Sequence, residues 1–210
     1  MSIKTAQTRI RTLSDLRTFL ESDLHAAGLQ KWRPWYGFKK PGVVYLRTLR
    51  IVEYLETRSS RPERLLASAA RYRLSVLSVR TGLSVPPHTF GRGLGLPHYG
   101  SIVVHSRARF GDFCVIQNAV NIGVLDDGVP SGGDFIYFAP GAVVYGAVTI
   151  GSEAVVGANS VLNASVPRST VWGGAPARQI RNGSSYPMMI ASVRAVMDAR
   201  AQPATDTSGR

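Results

Sequence analysis

Phe110-Gly-Asp-Phe-Cys-Val-Ile116-Gln-Asn-Ala-Val-Asn-Ile122-Gly places a large apolar side chain at every sixth residue. Working outward, the same position is filled upstream by Val104 and downstream, after one gap, by Gly132, Phe138, Val144, Ile150, Val156 and Leu162. The position after it is usually small: Gly111, Gly123, Gly133, Ala139, Gly151, Gly157. The fifth position is small or β-branched: Ala108, Cys114, Val120, Ile136, Ala142, Val148, Ala154, Ser160, Val166. A period of six fits neither a helix nor an alternating strand. It fits short flat β-segments joined by tight corners, three to a coil, stacked as a solenoid with its aliphatics inward. A sandwich would have to produce this spacing by coincidence. The register breaks once: Ile122 to Gly132 is ten residues, so about four residues loop out, and Gly123–Ser131 has the Asp-Gly and Pro of an exposed excursion. Loops on a rigid scaffold are where binding groups tend to sit.

The 210 residues suit one or two small domains, and 44% hydrophobic content supports a real core. No N-terminal stretch has the pattern of a signal peptide, and no apolar run is long enough to span a bilayer. The lone Cys114 has no internal disulfide partner, which suits a reducing cytoplasm, and its repeat position makes it a buried packing residue rather than a nucleophile. Charge is unevenly placed. Residues 1–80 carry 16 Lys/Arg against 6 Asp/Glu, whereas residues 81–210 carry 9 against 7 and no Lys. Such a region can meet nucleic acid, a membrane surface or an anionic substrate. Its Arg residues are scattered and no nucleic-acid motif accompanies them, so nucleic acid is not an expected partner. A solvated basic surface and attraction of a phosphorylated cofactor or acidic glycan remain open.

Three parts are expected: a helical N-terminal domain over 1–84, a β-solenoid over 85–183, and a C-terminal helix with a disordered tail over 184–210. Ser14 or Asp15 can cap a first helix that runs to about Ala27 and ends at Gly28. Lys31–Pro41 is aromatic and broken. Val43 to about Thr57 has apolar residues at helical spacing with Arg47, Arg50 and Glu53 between them. A third helix runs from about Pro62 to Thr81 and is closed by Gly82. The coils continue to about Ile180, Tyr186–Arg200 reads as a short amphipathic helix, and Ala201–Arg210 as a disordered tail. The helices are expected to cap one open end of the solenoid. The last one packs on its side or on a neighbouring subunit.

These residues resemble a known family. Gly93-Leu-Gly-Leu-Pro-His98-Tyr-Gly-Ser-Ile-Val-Val104 is similar to the active-site coil of the serine O-acetyltransferase branch of hexapeptide-repeat acyltransferases. The Phe110–Gly123 stretch and Val156-Gly-Ala-Asn-Ser-Val-Leu162 continue the likeness, and Val166-Pro-Arg-Ser-Thr-Val-Trp-Gly-Gly-Ala-Pro-Ala-Arg178 resembles the family's closing signature. The likeness covers about residues 85–182 well and 30–84 loosely. It implies a left-handed parallel β-helix, a homotrimer, acetyl-CoA as donor, and direct transfer of the acetyl group to a hydroxyl. Two departures bear on the acceptor. Pro97 stands where the family has Asp before its His, and Val129–Asp134 in the shorter loop holds no second His. An acid to hold a serine ammonium is not evident around Lys31–Lys40. Serine or a sugar hydroxyl in polysaccharide biosynthesis are both open as acceptors.

O-acetylation needs a base for the hydroxyl proton and donors for the oxyanion. His98, in the turn-rich Leu96–Gly100 segment where the register slips, is the expected base; the alternative is a structural corner. A backbone carbonyl, or Asp126 or Asp127 of the same or an adjacent chain, is available to orient it. His105 should point outward, as a surface residue or a substitute second His. His88 and His25 read as structural, and no His/Cys spacing suits a metal. Gln117, Asn118 and Asn121 are either an internal ladder or contacts to acceptor and acetyl carbonyl. The resemblance puts the pantetheine arm against Ala139-Pro140-Gly141 and Ala158-Asn159. Pro140 lacks an N–H there. Arg178, and less directly Arg168, is placed to meet a CoA phosphate. Gly91-Arg-Gly-Leu-Gly95 mimics part of a dinucleotide fingerprint without its βαβ context, so it reads as coil corners. A rival is an inactive scaffold for a partner such as a cysteine-pathway enzyme. The Asp206–Arg210 segment lacks the terminal Ile by which serine acetyltransferases dock their sulfhydrylase, and this weighs against it.

Overall fold

The computed structural model describes residues 9–202. The tail beyond Gln202, including Asp206–Arg210, lies outside the described residues. Four helices come first: α1 (Leu13–Ala26), α2 (Tyr36–Lys39), α3 (Pro41–Leu55) and α4 (Arg61–Thr81). The solenoid follows, and α5 (Ala191–Ala201) comes after a 3-10 turn at Tyr186–Met188.

The coils have three faces. The first stacks Leu83–Ser84, Ile102–Val104, Asn121–Gly123, Val143–Tyr145 and Val161–Leu162. The second stacks Val115–Ile116, Tyr137–Phe138, Val155–Val156 and Thr170–Gly174. The third pairs Ser131–Gly132 with Thr149–Ile150 and is extended by the bridges Phe90–Phe110 and Ile150–Val166. Neighbouring coils run parallel on every face. Both repeat positions point inward: Phe110, Ile116, Ile122, Phe138, Val144, Ile150, Val156 and Leu162 are fully buried, as are Ala108, Cys114, Val120, Ile136, Ala142 and Ala154. Each large side chain contributes about 1.5–3 kcal/mol on burial. Phe90 and Phe110 stack with ring centroids 4.9 Å apart, and Phe138 meets Phe110 edge-on at 5.4 Å. Corners turn through residues with positive φ such as Phe113, Phe135 and Glu153, and crowding decides where glycine is needed. A Cβ on Gly133 would lie 2.1 Å from Ser152 Oγ.

Four expectations need correction. The first helix is capped by Thr12, not Ser14 or Asp15: Thr12 Oγ1 accepts from Asp15 N at 3.0 Å and Asp15 returns a carboxylate to Thr12 N at 2.9 Å. The second long helix starts earlier, because Pro41 is preset for a first turn. Its Arg50 and Glu53 are buried rather than solvated, because the helix is covered on two sides. The coils do not run on to Ile180: with no further coil to pair, Ala177–Asn182 doubles back antiparallel on Thr170–Gly174.

The cap is joined to the first coil through Arg50. Its guanidinium donates to Asp23 at 2.8 Å, Glu53 at 2.9 Å, and the carbonyls of Phe90 and Gly91 at 3.1 and 2.6 Å. Burial works against its charge, but the Asp23 and Glu53 carboxylates outweigh that and hold the proton more tightly than usual. Tyr45 Oη both donates to Val85 O and accepts from Val85 N, at 2.9 Å each. α5 packs on the outer side of the solenoid: Met189, Val193 and Met197 bury against Phe113 and Phe135. It is tied to α1 by His25 Nε2 with Ser192 O at 3.0 Å and Ser192 Oγ donating to His25 O at 2.8 Å.

Candidate active site

Register locates the site. Gly95, Val115, Tyr137 and Val155 are aligned on the second face, and Val103, Asn121, Val143 and Val161 on the first. The chain between them turns the same corner four times. Three of those turns take six residues, whereas Gly95 to Val103 takes eight. The surplus bulges out as Leu96–Gly100, and His98 is exposed there, between Pro97 and Tyr99. Below it on the same edge come Gln117-Asn118, then Ala139-Pro140-Gly141, then Ala158-Asn159.

This ridge joins side chains far apart in sequence. Gly141 N donates to Asn118 O at 3.0 Å and Asn159 N to Pro140 O at 2.9 Å. A Cβ on Gly141 would come 2.2 Å from Asn159 Oδ1, and Gly141 turns the corner at φ 72°, as Ala119 and Asn159 do at 60° and 53° in the coils on either side. Pro140, Ala158 and Asn159 are exposed, and Ala139 is buried. Asn118 and Asn121 are also exposed and Gln117 donates to Tyr137 Oη at 2.9 Å, so these residues form no internal ladder. At these corners the aliphatics already fill the inside. Arg178 is exposed on the closing hairpin, its Nη1 on Ala177 O at 2.9 Å. Arg168 is held by the Glu153 carboxylate.

The other candidates sit at the far end of the first face. His105 Nδ1 accepts from Arg107 N at 3.2 Å. The looped-out insert is a tight hairpin: Leu125 and Gly128 exchange backbone hydrogen bonds at 3.1 and 2.8 Å, with Asp126 and Asp127 at its tip at φ of 47° and 61°. Asp127 faces Arg107 at 3.5 Å. Within one chain neither aspartate is hydrogen-bonded to His98. His88 and His25 are structural: His88 Nε2 lies 2.8 Å from Glu56 Oε2, and His25 bonds α5. Cys114 is fully buried, and that burial raises its thiol pKa far above the usual range, so it offers no thiolate. Among the described residues no group of His, Cys, Asp or Glu could hold a metal. No helix there is long and apolar enough to cross a membrane.

A pocket of about 280 Å³ opens under the Leu96–Tyr99 bulge, between cap and solenoid, lined by the neighbours of His98 rather than by His98 itself. Leu96, Pro97 and Tyr99 form one wall, Lys39, Lys40 and Gly42 another, and Ala27 at the end of α1 closes it. The broken Lys31–Pro41 segment gave no sign of this. A Cβ on Gly42 would lie 3.3 Å from Leu96 O, which shows how near the start of α3 comes to the His98 bulge.

Fold and ridge define a class: a β-solenoid of the hexapeptide-repeat kind with a helical cap. No protein-family model matches the chain. It is 32% identical over 155 residues to a serine acetyltransferase of Mycobacterium tuberculosis, covering 71% of this chain and 64% of that protein. A serine acetyltransferase of Staphylococcus xylosus is 37% identical over 99 residues, 44% of this chain and 46% of the relative. The chain thus spans less than two thirds of these relatives' length. Among solved structures, soybean serine acetyltransferase apoenzyme superposes with a TM-score of 0.66 at 28% identity, covering 80% of this chain and 69% of that one. The chain is similar to these serine acetyltransferases in both sequence and fold.

Proposed function

We propose that this protein is an acetyl-CoA-dependent O-acetyltransferase in which His98 is the general base. The observation that carries the reading is the shared edge: the one bulged corner exposes His98, and the small-residue ridge Asn118, Ala139–Gly141, Ala158–Asn159 runs directly below it. Acetyl-CoA, when bound, supplies an acyl group already activated as a thioester. The ridge fits its extended arm in shape, because short side chains let a thin chain lie close along the corner, and Arg178 is exposed to meet a phosphate. His98 takes the proton of the acceptor hydroxyl as its oxygen attacks, then returns it to the departing sulfur. Gln117, Asn118 and Asn121 are placed to receive acceptor or carbonyl oxygen. In this reading transfer is direct, and Cys114, fully buried, offers no thiolate for an acyl-enzyme.

A homotrimer completes the site in this reading. His105, Asp126 and Asp127 lie one face-width from His98, and a neighbouring copy brings such a hairpin to it. The free face of α4 supports self-association: Leu65, Ala69, Tyr72, Val76 and Val79 alternate four and three residues apart, and Leu65, Tyr72 and Val79 are 74–87% exposed. That spacing is the a/d spacing of about two heptads, a short apolar seam. Parallel copies set the flanking Arg73 and Arg80 against serines rather than arginines. The single buried thiol suits the reducing cytoplasm as compartment.

Release of free CoA thiol from acetyl-CoA, followed with L-serine and a panel of sugars and glycans, tests the reading. Turnover is expected with at least one hydroxyl acceptor and should fall by about 100-fold or more in His98→Ala. Failure to bind acetyl-CoA would overturn it and leave the inactive scaffold.

A further inference from the structure

The pocket beside His98 carries one sign of charge. Lys39 and Lys40, two of only four lysines in the chain, form one wall. No carboxylate lines the pocket among the described residues. The cap carboxylates nearest in the fold are taken by other cations: Asp23 and Glu53 by Arg50, Glu56 by Arg71, Glu21 by Arg17. Neither Lys39 nor Lys40 has an ion-pair partner among the described residues. The fifteen-residue α3 begins at Pro41, so its positive end lies at the same wall. The opposite wall is apolar, and Tyr99, 64% exposed, offers a ring face.

We infer that this pocket selects an anionic acceptor: a hydroxyl compound of monosaccharide size that carries a carboxylate or a phosphate, such as a sugar acid or sugar phosphate. The fate of the hydroxyl rests on the acetyltransferase reading; the charge preference rests on the pocket alone. An acidic group docks on Lys39 and Lys40 while the ring lies against Leu96, Pro97 and Tyr99, which turns a hydroxyl toward the bulge that holds His98. An ammonium group meets two like charges and no carboxylate. Free serine therefore gains at its carboxylate what it loses at its amine.

Equilibrium titration of the full chain tests this with four probes: D-glucuronate, D-glucose 6-phosphate, D-glucose and D-glucosamine. At low salt at least one anion should bind about tenfold tighter than glucose, and glucosamine no better than glucose. Added salt should shrink the difference. Lys39→Gln/Lys40→Gln should erase it, and Lys39→Arg/Lys40→Arg should keep it. A preference for glucuronate identifies a carboxylate as the recognised group, and one for glucose 6-phosphate a phosphate. The inference is overturned if neither anion binds better than glucose, if glucosamine matches the anions, or if the preference survives the double Gln variant. CoA titrated into the same samples separates the two readings. Loss of CoA binding with the anion preference intact counts against acetyl transfer and not against the pocket.

Discussion

Arg50 and His98 mark the two extremes of what one residue does here. Arg50 is fully buried and its bonds span two helices and the first coil. Replacing it with Met leaves Asp23 and Glu53 buried without a cation and two carbonyls without a donor. Removing one partner of such a network costs about 3–5 kcal/mol. Urea denaturation of Arg50→Met should show that loss, while Arg17→Ala, at an exposed pair with Glu21, should leave the midpoint unchanged. His98 is the opposite case, an exposed side chain whose loss should spare stability and remove turnover. The sequence singled out His98 by its resemblance to an acetyltransferase active-site coil, and the six-residue register slips around it. It gave no hint of Arg50, whose spacing on α3 is that of a solvated stripe until α1 and the first coil close over it.

At the scale of elements, the repeat was legible because every coil obeys the same steric rule: large inward, small at the corner. The closing hairpin was not, because the repeat lapses after Leu162, where Val166 aligns with Ile150 two residues early, and a lapse does not reveal what replaces the next coil. The C-terminal helix was visible in its amphipathic spacing, but its partner was not. Phe113 and Phe135, corner residues in the sequence, stack at 5.6 Å and form its seat, with Arg200 over both rings and paired to Asp112 and Asp134 at 3.0 and 2.8 Å. Val193→Asp would bury an unpaired carboxylate in that seat, at a cost of about 2 kcal/mol. Amide exchange should then quicken over Ala191–Ala201 while the coils stay protected. Equal loss of protection in both would show that α5 and the solenoid unfold together.

On the scale of the whole molecule, assembly is the open variable. The site reading places His98 of one copy near the hairpin of another, and α4 offers a seam along which copies can meet. Sedimentation at micromolar concentration should give a trimer, and Tyr72→Glu, which puts a charge into the seam, should shift it toward smaller species. A wild-type monomer would separate Asp126 and Asp127 from His98 for good.

The sequence by itself determined the solenoid, its single excursion and the helical cap. Those follow from local rules: which side chains fit inside a narrow coil and where glycine must stand. His98 as candidate base rested on the resemblance to an acetyltransferase coil, with the slipped turn beside it. Only the tertiary structure decided that His98 shares an edge with Asn118, Pro140 and Asn159, and that Lys39 and Lys40 share a pocket with its chain neighbours Pro97 and Tyr99. Stacking converts a six-residue period into a column, so residues twenty apart become neighbours. The docking of helices on that column depends on side chains such as Arg50, whose partners lie up to about forty residues away along the chain.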